Sequence, residues 1–105
     1  MIRKASVMKV YKQHHEEYRK RHDELWPEMK DMLKEHGVLE YSIFLDAETD
    51  SLFAYLTIKD EELWARSVDT DICRKWWAYM KDIMETNPDD SPISRELPEV
   101  FRLAD

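Results

Sequence analysis

From Ile2 to Val10 apolar and polar positions nearly alternate, with Ile2, Met8 and Val10 beside Lys4 and Ser6 on one side and Ala5 and Val7 beside Arg3 and Lys9 on the other. This period of two predicts a first strand. The period then lengthens to that of an α-helix: Tyr18, His22, Leu25, Met29, Met32, Leu33 and His36 share one stripe, which predicts a helix from about His14 to His36. Gly37, the one glycine of the chain, follows the last periodic residue, where a helix stop is expected. Pro27 has no N–H to offer the carbonyl of Asp23 and crowds it, so a kink, or a break and restart, is expected just after His22.

Alternation returns between Val38 and Asp46, with Tyr41, Ile43 and Leu45 on one face and Ser42 and Phe44 on the other. Turn residues at Ala47 to Asp50 and the apolar run from Leu52 to Ile58 complete a predicted hairpin. Asp60 is placed to cap a short helix over Glu61 to Val68, and Asp69 or Thr70 to cap the next, from Asp71 to about Glu85. That last helix carries Ile72, Trp76, Tyr79, Met80 and Ile83 on one stripe, with Cys73, Trp77 and Met84 beside it. Asn87 to Pro92 is rich in breakers and reads as a loop long enough to wall a pocket, and Glu99 to Leu103 predicts a closing strand.

The resulting order, β-α-β-β-α-β, is the split βαβ or ferredoxin-like α+β plan: one domain over residues 1–105, an antiparallel sheet with helices on one face. Two helical layers cannot cover both sides of that sheet. Phe53, Tyr55, Phe101 and the apolar residues of the first strand therefore predict a homodimer formed through the sheet face.

Composition sharpens this. A chain of 105 residues with 43% hydrophobic content buries only a small core, yet it carries four Trp, five Tyr and three Phe. Aromatics beyond the capacity of the core belong at an interface or in a ligand pocket. A net charge of −7 and a pI near 5.1 exclude nucleic acid as a partner. The basic cluster Arg19-Lys20-Arg21 lies among Glu16, Glu17, Asp23 and Glu24 and reads as a solvated helix face. Cys73 stands alone, so no internal disulfide forms and a reducing compartment is expected. No apolar run has the length of a signal peptide or a membrane span, so a cytoplasmic protein is expected.

Tyr18 and His22 stand one turn apart on the core-facing stripe, so a phenol and an imidazole reach the same space, and Tyr41 points there from the second strand. Trp76 and Trp77 diverge by about 100° on a helix, so at least one of them lies at an edge. Together these residues suggest a pocket with aromatic walls, two phenols and one imidazole, a lining suited to a neutral sugar. Each also has a purely structural reading: His22 as a hydrogen-bonded core histidine, Tyr18 and Tyr41 as core-edge residues, and the Trp pair as dimer anchors. Paired carboxylates placed for glycoside hydrolysis are absent, as is any glycine-rich phosphate loop. His14, His15, His22 and His36 lack the spacing of a metal site, and Cys73 lacks an activating neighbourhood.

At these residues the chain resembles the L-rhamnose mutarotases, small dimeric α+β barrel proteins of rhamnose catabolism. The resemblance spans essentially the whole length and is carried by Met1-Ile2-Arg3-Lys4-Ala5, His15-Glu16-Glu17-Tyr18, Arg21-His22, Leu25-Trp26-Pro27-Glu28, Cys73-Arg74-Lys75-Trp76-Trp77 with Tyr79-Met80, and Asn87 to Pro92. It implies an isomerase that interconverts the α and β anomers of L-rhamnose without cofactor or metal, with His22 as proton donor and Tyr18, Tyr41, Trp76 and Trp77 binding the sugar. Asp23-Glu24 stands where relatives carry Asn-Pro, beside the expected kink. The ferredoxin-like dimer plan also serves haem-degrading monooxygenases and non-catalytic ligand-binding modules, and fold alone does not decide among them.

Overall fold

The structure, a computed structural model that describes residues 1–104, has a four-stranded antiparallel sheet of order β2-β3-β1-β4. In chain order the elements are β1 (Ile2–Lys9), α1 (His15–Asp23), α2 (Pro27–Glu35), β2 (Val38–Asp46), β3 (Ser51–Ile58), α3 (Glu61–Ala65), α4 (Asp71–Met80) and β4 (Arg95–Glu96). Single 3₁₀ turns, Lys12–His14 and Arg66–Asp69, lead into α1 and α4. This is the ferredoxin-like α+β architecture. Among the described residues no helix is long and apolar enough to cross a membrane.

The alternation of the strands decides which side the helices cover. Met8 and Val10, with Leu52, Ala54, Leu56 and Ile58 of β3, are buried under the helices, where Met29, Met32, Met80, Ile83 and Met84 complete the core. Phe53 and Tyr55 alternate to the opposite face with Phe44 and stay exposed.

Helix 14–36 divides at the expected place. Glu24 and Leu25 close α1 through bonds from their N–H groups to the carbonyls of Lys20 (3.0 Å) and His22 (3.2 Å), and Pro27 restarts the chain as the first residue of α2. Gly37 ends α2 at φ 86°, and a Cβ there would meet Leu63 Cδ2 at 3.4 Å. Asp60 caps α3 by accepting from Leu63 N–H at 2.9 Å, and Thr70 caps α4 by accepting from Cys73 N–H at 3.3 Å.

Three boundaries differ from the sequence expectation; the short helix expected over Glu61 to Val68 tightens into the 3₁₀ turn after Ala65. The helix expected to reach Glu85 stops at Met80, because residues 83–85 run beside the end of β1: Tyr11 N–H donates to Ile83 O (2.9 Å) and Glu85 N–H to Lys9 O (3.0 Å). The last strand lies at Arg95–Glu96, paired with Val7 and Ser6, rather than at Glu99 to Leu103. Leu97 N–H still donates to Ala5 O (2.9 Å), but Pro98, next in the chain, can donate nothing to a ladder. Val100, Phe101 and Leu103 are left exposed beyond it, while Glu99 pairs with Arg3 across the open face of the sheet.

Candidate functional site

Between the helices and β2 lies a cavity of about 920 Å³, near the upper end of the ~300–1,000 Å³ typical of small-molecule sites. Tyr18 and His22 of α1, Tyr41 of β2, and Trp76 and Trp77 of α4 all line it. A β-bulge makes Tyr41 available. Val38 pairs with Ile58 and Tyr41 with Leu56, both helix-facing partners, although the two β2 residues are three apart; the register shift between Val38 and Glu40 absorbs the extra residue. Both members of the Trp pair reach the cavity, Trp76 from a buried position and Trp77 from a half-buried one.

His22 is fixed on three sides. Its Nδ1 lies 3.0 Å from Tyr18 O, its ring stacks on the Tyr18 ring (centroids 4.4 Å apart, 29° between planes), and the Trp76 indole meets it edge-on at 5.4 Å. A carbonyl oxygen only accepts, so Nδ1 carries the hydrogen and donates, which leaves Nε2 as the nitrogen able to exchange a proton with a ligand. Behind Trp76 stand Trp26, perpendicular to it at 5.0 Å, and Tyr79 at 5.6 Å.

Burial pushes every titratable group in the middle of the cavity toward its neutral form. Desolvation lowers the His22 pKa from 6.5, against the opposing pull of the Tyr18 carbonyl and Asp23. Desolvation also raises the phenols of Tyr18 and Tyr41 and pushes the Cys73 thiol up to about 11. Tyr18 is 7% exposed, whereas Tyr41 keeps 40% of its surface open toward the hollow while the protein around it still desolvates its phenol. Charged side chains, among them Glu16, Arg19, Asp23 and Asp90, line only the outer part. An uncharged ligand with an apolar side and several hydroxyl groups matches this arrangement. Among the described residues no three His, Cys, Asp or Glu side chains converge as a metal set.

Several members of the site lay outside the sequence reading. Arg21, expected on a solvated helix face, is instead enclosed: its side chain is only 11% exposed. It donates to Glu17 Oε2 (2.7 Å), Tyr79 O (2.6 Å) and Asp82 (2.9 and 3.2 Å), and its guanidinium lies 4.3 Å from the Tyr79 ring centroid. It thus bolts the end of α1 to the end of α4, next to His22. Trp64 of α3 and Ser67 of the 3₁₀ turn after it line the cavity, where no spacing signalled them. Asp90 and Pro92 line it from the predicted loop, and Thr86 from just before it.

The family description that matches is L-rhamnose mutarotase, over residues 3–103. This chain belongs to the L-rhamnose mutarotase family. An L-rhamnose mutarotase of Shouchella clausii is 61% identical over 104 residues, covering 99% of this chain and 100% of its own. The crystal structure of an L-rhamnose mutarotase from Formosa agariphila superposes with a TM-score of 0.91 at 45% identity, covering 99% of this chain and 100% of that one. A Nitrosomonas europaea protein named for antibiotic biosynthesis monooxygenases superposes at 0.64 with 14% identity, over 96% of this chain and 100% of that one, a likeness of fold alone.

Proposed function

We propose that this chain is a carbohydrate isomerase that interconverts the α and β anomers of L-rhamnopyranose. The observation that carries the reading is His22: in a mutarotase-family chain, its ring is held by Tyr18 and Trp76 with Nε2 as the one exchangeable nitrogen. Anomerisation needs a proton delivered to the ring oxygen as another leaves the anomeric hydroxyl. The C1–O5 bond breaks, the aldehyde turns about C1–C2, and the steps reverse on its other face. The protonated fraction of His22, a stronger acid because burial lowers its pKa, gives its Nε2 proton to the ring oxygen and recovers it on closure. Tyr18 and Tyr41, held neutral, are too weakly acidic to stand as phenolate bases. They relay instead, accepting the anomeric proton while passing their own hydroxyl hydrogen to water. General acid-base help of this kind is worth about 10²- to 10⁴-fold.

Trp76 and Trp77 cover the C–H surface of the sugar, including its C6 methyl, and the phenols take its hydroxyls. No electron is transferred and no group is exchanged, so the reaction calls for neither cofactor nor metal. The exposed Phe44, Phe53 and Tyr55, with the apolar tail after Pro98, support a homodimer through the sheet face. The free Cys73 supports a reducing, cytoplasmic setting.

Magnetisation transfer between the anomeric protons of L-rhamnose tests the activity: the protein accelerates exchange well beyond the spontaneous rate. A sugar-induced change in tryptophan fluorescence without faster exchange would reduce the protein to a binding module. A Soret band on haem titration would instead favour the monooxygenase-like alternative.

A further inference from the structure

The cavity has a second polar pole. His15 opens α1 on the same face as Tyr18 and His22, at positions i, i+3 and i+7, and lines the cavity with them. Its Nε2 lies 2.8 Å from Asp50 Oδ1, in the β2–β3 turn. Asp50 holds φ 60°, and its carbonyl accepts from Val10 N–H at 3.1 Å. Lys9 Nζ ties the adjoining residues down through Thr49 O (2.9 Å) and Ser51 Oγ (3.0 Å). The carboxylate thus stands in a braced turn and accepts from the Nε2–H of His15, which leaves His15 Nδ1, without a protein partner among the described residues, as an acceptor.

The two histidines stand seven positions apart on the helix, about 10 Å along the axis at ~1.5 Å per step. A pyranose ring with one hydrogen bond of about 2.8 Å at each end spans a comparable length. When His22 Nε2 meets the ring oxygen, the hydroxyls on the opposite edge, at C3 and C4, lie toward His15, with Tyr18 between. We propose that His15, its tautomer and orientation set by Asp50, accepts a hydrogen bond from the 3- or 4-hydroxyl of the sugar and so reads the configuration of the edge remote from the reaction. This rests on the mutarotase reading of the same site. Because that edge keeps its bonds throughout ring opening, the contact acts on binding rather than on the chemical step.

The test is a cycle that pairs His15→Ala with L-rhamnose and its 3-deoxy and 4-deoxy analogues, following anomer exchange against sugar concentration. For L-rhamnose the variant raises KM about 3- to 10-fold with kcat within twofold of wild type. One of the two deoxy sugars costs the wild type a similar factor and costs the variant nothing further. Asp50→Ala, whose side chain lines no part of the cavity, gives a smaller rise in KM and serves where His15→Ala does not fold. Equal deoxy penalties in wild type and folded variant overturn the role of His15 while leaving the mutarotase reading intact. A wild-type protein that fails to speed exchange of L-rhamnose overturns both.

Discussion

Leu52, Ala54, Leu56 and Ile58 of β3 turn toward the helices and are buried, whereas Phe53 and Tyr55, their neighbours in sequence, keep 41% and 37% of their surface exposed. The same strands therefore present a hollow on one face and an uncovered apolar surface on the other. The difference comes from what stands opposite. On the helix side, Trp76 is backed by Trp26 and Tyr79 and does not collapse into the space before it, so the hollow stays open and desolvates what it encloses. On the far side Phe44, 65% exposed, has no such layer. An enclosed region tunes ionisation, and an unlayered one drives association.

Each half of this contrast can be broken. The largest effect is expected at the wall. Trp76→Ala removes the ring that His22, Trp26 and Tyr79 share and should cost about 3–5 kcal/mol in denaturant unfolding, together with the fluorescence response to sugar. On the open face, Phe44→Glu should dissociate the proposed homodimer, shifting the sedimentation coefficient to that of a single chain while the exchange activity per folded chain stays measurable. An unchanged sedimentation coefficient would count against the sheet face as the interface. Arg21→Lys keeps the charge but loses the fork that reaches Tyr79 O and both Asp82 oxygens, for about 1–2 kcal/mol. The loss is held down because Asp82 is largely solvated.

The smallest effect is on the pH dependence of stability. His22 has its pKa lowered in the fold from an ordinary 6.5, so between those two values the unfolded chain binds more protons than the folded one. Stability therefore rises with pH across that window and is lost as pH falls below 6.5. The slope due to this one group is at most about 1.4 kcal/mol per pH unit. His22→Gln should flatten it in urea titrations at pH 5 to 7.

The strand and helix periods, Gly37, the cap at Asp60 and the choice of Asp69 or Thr70 for the next were legible in the sequence because each is a local signal: a repeat, a positive φ, a side-chain oxygen three residues before the N–H that donates to it. The break at Pro27 was legible for the same reason, since a missing N–H acts within one turn. The rest depended on contacts distant in sequence. Residues 83–85 leave the helix to satisfy Lys9 and Tyr11, more than seventy positions earlier. Arg21 looks like its exposed neighbours until α4 arrives beside it with Tyr79 and Asp82. The closing strand was placed too late because Val100, Phe101 and Leu103 carry the apolar pattern, whereas the pairing with β1 falls on the polar Arg95 and Glu96. Of the cavity, the stripe of Tyr18 and His22 and the Trp pair could be read from helical spacing. Tyr41 was placed by alternation, but its register depends on a bulge that no residue type announces.

The measurement that bears most directly on the role given to the imidazole is anomer exchange of L-rhamnose by His22→Ala, with near-ultraviolet circular dichroism to confirm the fold. The account predicts a loss of about 10²-fold or more in accelerated exchange, with sugar still quenching or shifting the tryptophan emission. A folded variant that exchanges the anomers as fast as the wild type would contradict it.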